Sequence, residues 1–277
     1  MAATRRRRTC SHCSTARSPC SRRPTIDPDL LDILAPGLVV GLLVAVAHAP
    51  LGIEVLKRGI VFIDLATAQV VGLAVILLDL WLHKPSWIVK QGAAFAAGIA
   101  IALFFRWIER KAPDEQEAVI GSSFIVAASA ALLALANDPH GGEALRHVLS
   151  GQILFASWHD IAVFLPIYGL FAGLWLAAPS LRTGTGFFVL FALVVTASMQ
   201  LVGVYLVFAS LILPALAARA GKGYIHWRAF ASGALAVVAG ILVSIASDLP
   251  AGPLLVVCFA ISAAATRLLF RNVQNGF

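Results

Sequence analysis

The sequence predicts an all-α polytopic membrane protein of eight or nine spanning helices, and three observations carry that expectation. Of its 277 residues, 60% are hydrophobic and only 13% are charged, with a mean hydropathy of +0.88. A soluble domain averages nearer half apolar and a quarter charged. The apolar residues also come in blocks of about twenty, the length a helix needs to cross the hydrocarbon core of a bilayer. Short polar breaks separate the blocks, as connecting loops require.

The blocks run from Leu31 to Ala47, Ile60 to Leu82, Trp87 to Trp107, Ala118 to Ala136 and His159 to Ala178. A long block from Phe187 to Ala218 follows, then Ala229 to Ala246 and Pro253 to Phe270. The long block, at about thirty residues, exceeds one comfortable crossing even with tilt. It holds the polar Gln200 beside Met199, then Gly203, and Pro214 near its end. Two shorter helices joined at Leu201 to Gly203 are therefore expected, which takes the count from eight to nine.

Positive charge in the loops sets the expected orientation, because Lys and Arg are retained on the cytoplasmic side. One set of alternate loops carries Lys57, Arg58, Arg106, Arg110, Lys111, Arg182, Arg219, Lys222, Arg228, Arg267 and Arg271. The other carries Lys84, Lys90 and Arg146. The first set is read as cytoplasmic, with the C-terminus inside and the chain an inner-membrane protein.

The net charge of +7 comes from 21 Lys and Arg against 14 Asp and Glu. Arg5, Arg6, Arg7, Arg8, Arg17, Arg22 and Arg23 all lie in a short N-terminal tail, so the basic balance belongs to the tail. It does not mark a nucleic-acid surface. Residues 1–30 are expected to form a disordered Arg- and Cys-rich tail, with the membrane domain spanning 31–277. Nothing in the tail has a period that buries a face. Cys10, His12, Cys13 and Cys20 offer one pair of zinc-ligand spacings where a structural site wants two. A transit peptide lacks its amphipathic period here, and a start assigned too far upstream is a further reading. Cys258 stands alone in an apolar block and reads as a small hydrophobe.

No phosphate-cradling Gly-x-x-x-x-Gly-Lys-Ser/Thr run occurs, and Gly221-Lys222-Gly223 lacks the rest of that loop, so the chain is not expected to hydrolyse ATP by itself. Neither a Gly-x-Ser-x-Gly elbow nor a His-Glu-x-x-His pair is present, which removes the intramembrane hydrolases that use them. The chain is read as a transport subunit, not an enzyme.

Asp64 is the most informative polar residue, in the run Phe62-Ile63-Asp64-Leu65-Ala66-Thr67-Ala68-Gln69 at the start of the second span. A carboxylate inside a span costs a few kcal/mol and normally faces a cavity, a partner or a pathway. Thr67 and Ala68 share its helical face, and Gly72 continues it without bulk. This small, weakly polar stripe suits a cation path, with Gln69 as a further donor. The bland alternative is a boundary charge that pairs with Lys57 or Arg58.

A second constellation, Asp138 to His147, is expected outside the membrane. Where helical, His140, Glu143 and His147 fall on one face, and imidazole with carboxylate suits Zn²⁺ or Mn²⁺. Its apolar positions read as an amphipathic interfacial helix, the reading favoured over a metal site. Gln200 faces a side of its span that the sequence does not fix, and buried amides in membranes more often join helices than bind substrate, while Asp248 to Pro253 reads as an outer turn.

Three groups of stretches belong together: Pro50-Leu51-Gly52-Ile53, Leu56-Lys57-Arg58-Gly59 and Phe62-Ile63-Asp64, then Leu201 to Val207 and Ile212 to Arg219, then Ser247 to Pro253. They resemble the loop and second helix, the paired short helices and the last outer turn of the permease subunits of bacterial ABC importers for zinc and manganese, the ABC-3 family. The resemblance implies an ABC importer permease-like bundle in a homodimer, with two cytoplasmic ATPase subunits and an extracytoplasmic metal-binding protein. It implies zinc or manganese as the transported substrate, with no cofactor bound by this chain. It also makes Arg219 to Tyr224, with Lys222, the segment that couples to the ATPase, with Lys57 and Arg58 beside it. One departure stands out. The family pattern after Asp64 has Ser-His at the next two facing positions, and here they are Thr67 and Ala68. A secondary cation carrier using Asp64 as a relay is the rival reading, although such carriers show interrupted helices in both halves and only Gly203 marks one here.

Overall fold

The computed structural model describes residues 28–82, 85–136, 142, 153–219, 223–247 and 249–275. Among them are nine α-helices and no strand. They are α1 (Pro28–Arg58), α2 (Ile63–Leu82), α3 (Trp87–Lys111), α4 (Gln116–Leu135), α5 (Trp158–Ala177), α6 (Gly184–Val202), α7 (Val204–Ala218), α8 (Ile225–Ser247) and α9 (Ala251–Asn275). Eight described helices are long and apolar enough to cross a bilayer. The ninth, α7, has 15 residues, about 22 Å at 1.5 Å per residue, and is short of a full crossing.

Helix α1 runs further than its apolar block. It continues through Pro50 to Arg58, although the sequence reads Pro50 to Ile53 as loop. Pro50 lacks the N–H that would meet the carbonyl one turn back. Packing outweighs that loss, because Leu51, Ile53 and Val55 beyond it are all 0–1% exposed. The long block breaks at Gly203, where φ is 80° and ψ is 161°. Only glycine reaches that region without strain, so α6 ends there and α7 starts at once.

Helix α6 is the centre of the bundle. Its most apolar window is 72% buried, against 22% for those of α3, α4 and α9. Phe187, Phe188, Phe191, Val194 and Val195 are all fully enclosed. The outward faces are the reverse of a soluble protein, with Trp81 at 80%, Leu133 at 76% and Leu176 at 76% exposed. Such side chains are at home against lipid tails, and helices leave no backbone group unpaired there.

Polar anchors mark the two ends of the bundle. At one end Arg58 donates to Glu109 (2.9 Å) and to the carbonyl of Arg182 (3.2 Å), and Arg106 also pairs with Glu109. Lys57, Arg182 and His226 line a cleft of about 610 Å³ there with Trp175, Trp227 and Phe230. Arg267 reaches the carbonyl of Leu216 near the end of α7. At the opposite end Lys90 pairs with Asp79 (2.7 Å). Many of the basic residues assigned to one set of loops therefore gather at one end.

Candidate functional site: buried polar groups inside the spans

Asp64 sits in the first turn of α2 and is 1% exposed. Neither carboxylate oxygen has a hydrogen-bond partner of good geometry, although the first-turn N–H groups of Asp64 and Leu65 lie close to it. The ion pair with Lys57 or Arg58 that the sequence allows is not made. Lys57 is held by Glu54 at 2.7 Å and Arg58 by Glu109 at 2.9 Å. Both acids lie on helices that also present the basic residues to the end of the bundle, so neither cation is available to α2.

Thr67 is fully buried one turn from Asp64, and its hydroxyl donates to the carbonyl of Ile63 at 2.7 Å. Its proton is thus spent on the backbone while its lone pairs remain. Ala68 is 1% exposed and offers no donor to an ion. Gln69 is buried as well, but five positions after Asp64 it projects from a different side of the helix. Asp64 and Thr67 therefore share a face, and Gln69 does not join them there.

A second polar cluster lies deep in the bundle and was not singled out from sequence. His48 of α1 is fully buried, with Nδ1 at 2.7 Å from the hydroxyl of Ser210 on α7 and Nε2 at 3.1 Å from the hydroxyl of Ser198 on α6. The Tyr168 hydroxyl of α5 lies 2.7 Å from Ser198, and Ser210 also donates to the carbonyl of Val207 at 3.0 Å. Counting protons orients the chain. Ser210 has one proton and gives it to Val207, so it accepts from Nδ1–H. Nε2 then accepts from Ser198, which accepts from Tyr168. Every member is satisfied by a neutral imidazole with its proton on Nδ1. The signal for this cluster was a lone histidine between two alanines in an apolar helix, a position that normally has a named partner.

Gln200 is exposed, donating to the carbonyl of Thr196 in its own helix (3.1 Å) and accepting from Gln91 of α3 (2.7 Å), a contact that joins α3 and α6. Arg219 is exposed directly after α7. His140, Glu143, His147 and Lys222, and the tail cysteines, lie outside the described residues. Among the described residues no group of three or more His, Cys, Asp or Glu side chains is arranged to hold a metal ion.

A helical bundle with a lipid-facing exterior, a broken central helix pair and an unpaired carboxylate inside a span defines a multi-pass membrane transport protein. The profile of the ABC 3 transport family matches residues 31–178 and 176–267, and the chain belongs to that family as a permease-type membrane subunit. In three dimensions it is similar to the solved structure "PsaBC from Streptococcus pneumoniae in complex with Fab". The TM-score is 0.67 at 19% identity, covering 87% of this chain and 95% of that one. No curated protein matches the sequence.

Proposed function

We propose that this chain is the permease subunit of an ATP-driven importer in the inner membrane that moves a divalent metal ion, zinc or manganese, into the cytoplasm. The observation that carries the reading is Asp64, a carboxylate buried in a span with neither oxygen engaged by a cation or a well-placed donor. Retaining such a group in hydrocarbon is costly unless it serves a passing ion. Thr67 supplies hydroxyl lone pairs on the same face, while Gln69, on a different side of α2, stands outside this pair. The ion arrives from an extracytoplasmic binding protein and meets His140, Glu143 and His147 on the way in.

The chain carries no phosphate loop, so the energy comes from a partner. Two ATPase subunits bind a homodimer of the permease, with Lys57, Arg58, Arg219 and Lys222 coupling their closure to the bundle.

Uptake of radiolabelled zinc and manganese tests this in cells lacking their own importers, with the permease and binding protein expressed with and without the ATPase. Uptake that requires the ATPase and is lost in Asp64→Asn at equal expression is expected. Uptake without the ATPase would move the protein to a secondary carrier.

A further inference from the structure

Position 68 of α2 carries alanine where the family pattern has histidine, so Asp64 has no imidazole one turn above it. The structure brings a different side chain to the start of α2. Glu117, in the first turn of α4, accepts a hydrogen bond from the backbone N–H of Phe62 at 3.2 Å, two residues before Asp64. Its other oxygen, Oε2, is buried with no hydrogen-bond partner. The Asp64 carboxylate at the same junction is itself 1% exposed, with neither oxygen hydrogen-bonded in good geometry.

Two carboxylates gathered at one helix junction repel, and a cation placed between them relieves both. The cations closest in sequence are occupied, Lys57 by Glu54 and Arg58 by Glu109. The donors on hand are therefore all oxygen: two carboxylates and the free lone pairs of Thr67. Oxygen sets of this kind suit a hard ion such as Mn²⁺, whereas Zn²⁺ gains more from imidazole or thiolate. A site with only two charged ligands also holds an ion weakly enough to release it.

We propose that Glu117 is the second ligand of the passing ion, forming with Asp64 an all-oxygen divalent-cation site at the shared start of α2 and α4 that favours Mn²⁺ over Zn²⁺. This rests on Asp64 lining the ion path, as read above. The competing role for Glu117 is to cap the first N–H groups of α2. Glu117→Gln separates the two, because glutamine keeps an acceptor for Phe62 while losing the charge.

The test uses the full chain with its ATPase and binding protein, measuring radiolabelled Mn²⁺ uptake with unlabelled Zn²⁺ as competitor in wild type, Glu117→Gln and Asp64→Asn. The purified permease is melted in parallel with and without Mn²⁺, since an ion that binds only the folded state raises the melting temperature. Glu117→Gln is expected to lower Mn²⁺ uptake at least tenfold and to lose the Mn²⁺-induced rise while melting near the wild type without metal. Wild-type uptake in Glu117→Gln beside an inactive Asp64→Asn would overturn the role of Glu117 and leave that of Asp64. An unchanged Mn²⁺-induced rise in Glu117→Gln would also overturn it, even if uptake fell. Full activity of Asp64→Asn would remove the ion path itself.

Discussion

The hydroxyl of Ser210 lies 2.7 Å from Nδ1 of His48, a buried contact between residues 162 positions apart. With Ser198 on the other ring nitrogen, one imidazole of α1 ties together the two helices that flank Gly203. Replacing His48 by alanine would leave the Ser198 donor unmatched and open a void, at a cost of about 2–4 kcal/mol. Ser210→Ala removes one partner only and should cost about 1 kcal/mol or less, as interhelical hydrogen bonds in membranes do. Thermal melts of the purified protein should therefore rank wild type, Ser210→Ala and His48→Ala in falling order. A His48→Ala protein as stable as wild type would show that the cluster contributes nothing to holding α6 and α7.

Gly203 is the point at which the central helix breaks, and its φ of 80° with ψ of 161° excludes any side chain without strain. Gly203→Ala should destabilise the fold by about 1–3 kcal/mol. The effect is expected to exceed that of Gly169→Ala on α5, where an added methyl meets nothing within 4 Å. Melting both variants side by side checks the ranking, and equal melts would contradict the backbone assignment at the break.

Gly52 lets α1 and α7 touch. A methyl group built there overlaps the carbonyl oxygen of Leu211 and crowds Ala215, and rigid backbone cannot yield as a side chain can. Small residues serve this purpose in membrane interfaces, where close packing replaces the hydrophobic drive. Gly52→Ala should lower the yield of folded protein in the membrane and cost more than about 2 kcal/mol in melts. Normal yield and stability would mean that the two helices have room to separate.

Much of this architecture could be read from the chain because hydrocarbon leaves few alternatives: a long apolar block must become a helix. The break at Gly203 was visible for the same reason, since a block reaching from Phe187 to Ala218 could not cross once. The run of α1 past Pro50 was not visible, because it depends on what Leu51, Ile53 and Val55 pack against. Asp64 stood out as a carboxylate among apolar neighbours, and so did its missing histidine. The roles of His48 and Glu117 are not legible in the sequence, for a common reason. Each gains meaning only from residues distant in sequence, Ser198 and Ser210 for one and the start of α2 for the other. A solitary histidine in an apolar helix signals that a partner exists but not which one, and a glutamate beside an apolar block signals neither.

Arg58 is the most heavily used side chain at the basic end. It pairs with Glu109 at 2.9 Å, donates to the carbonyl of Arg182 at 3.2 Å and stacks over Phe187 with its guanidinium carbon 4.3 Å from the ring centroid. Lysine can replace the charge but not the planar fork that meets all three at once. Arg58→Lys should therefore cost about 1 kcal/mol through lost stacking and a lost donor, and Arg58→Ala about 2 kcal/mol. Both partners of the ion pair are about a fifth exposed, so the direct coupling to Glu109 is discounted for solvent and should be about 1 kcal/mol or less. Melting Arg58→Ala, Glu109→Gln and the double variant measures that coupling. Because Arg106 also pairs with Glu109, Glu109→Gln should be more damaging than loss of Arg106 alone. Arg106→Ala is then expected to be the mildest of the single changes at this corner, since it leaves Glu109 with the better-anchored of its two cations.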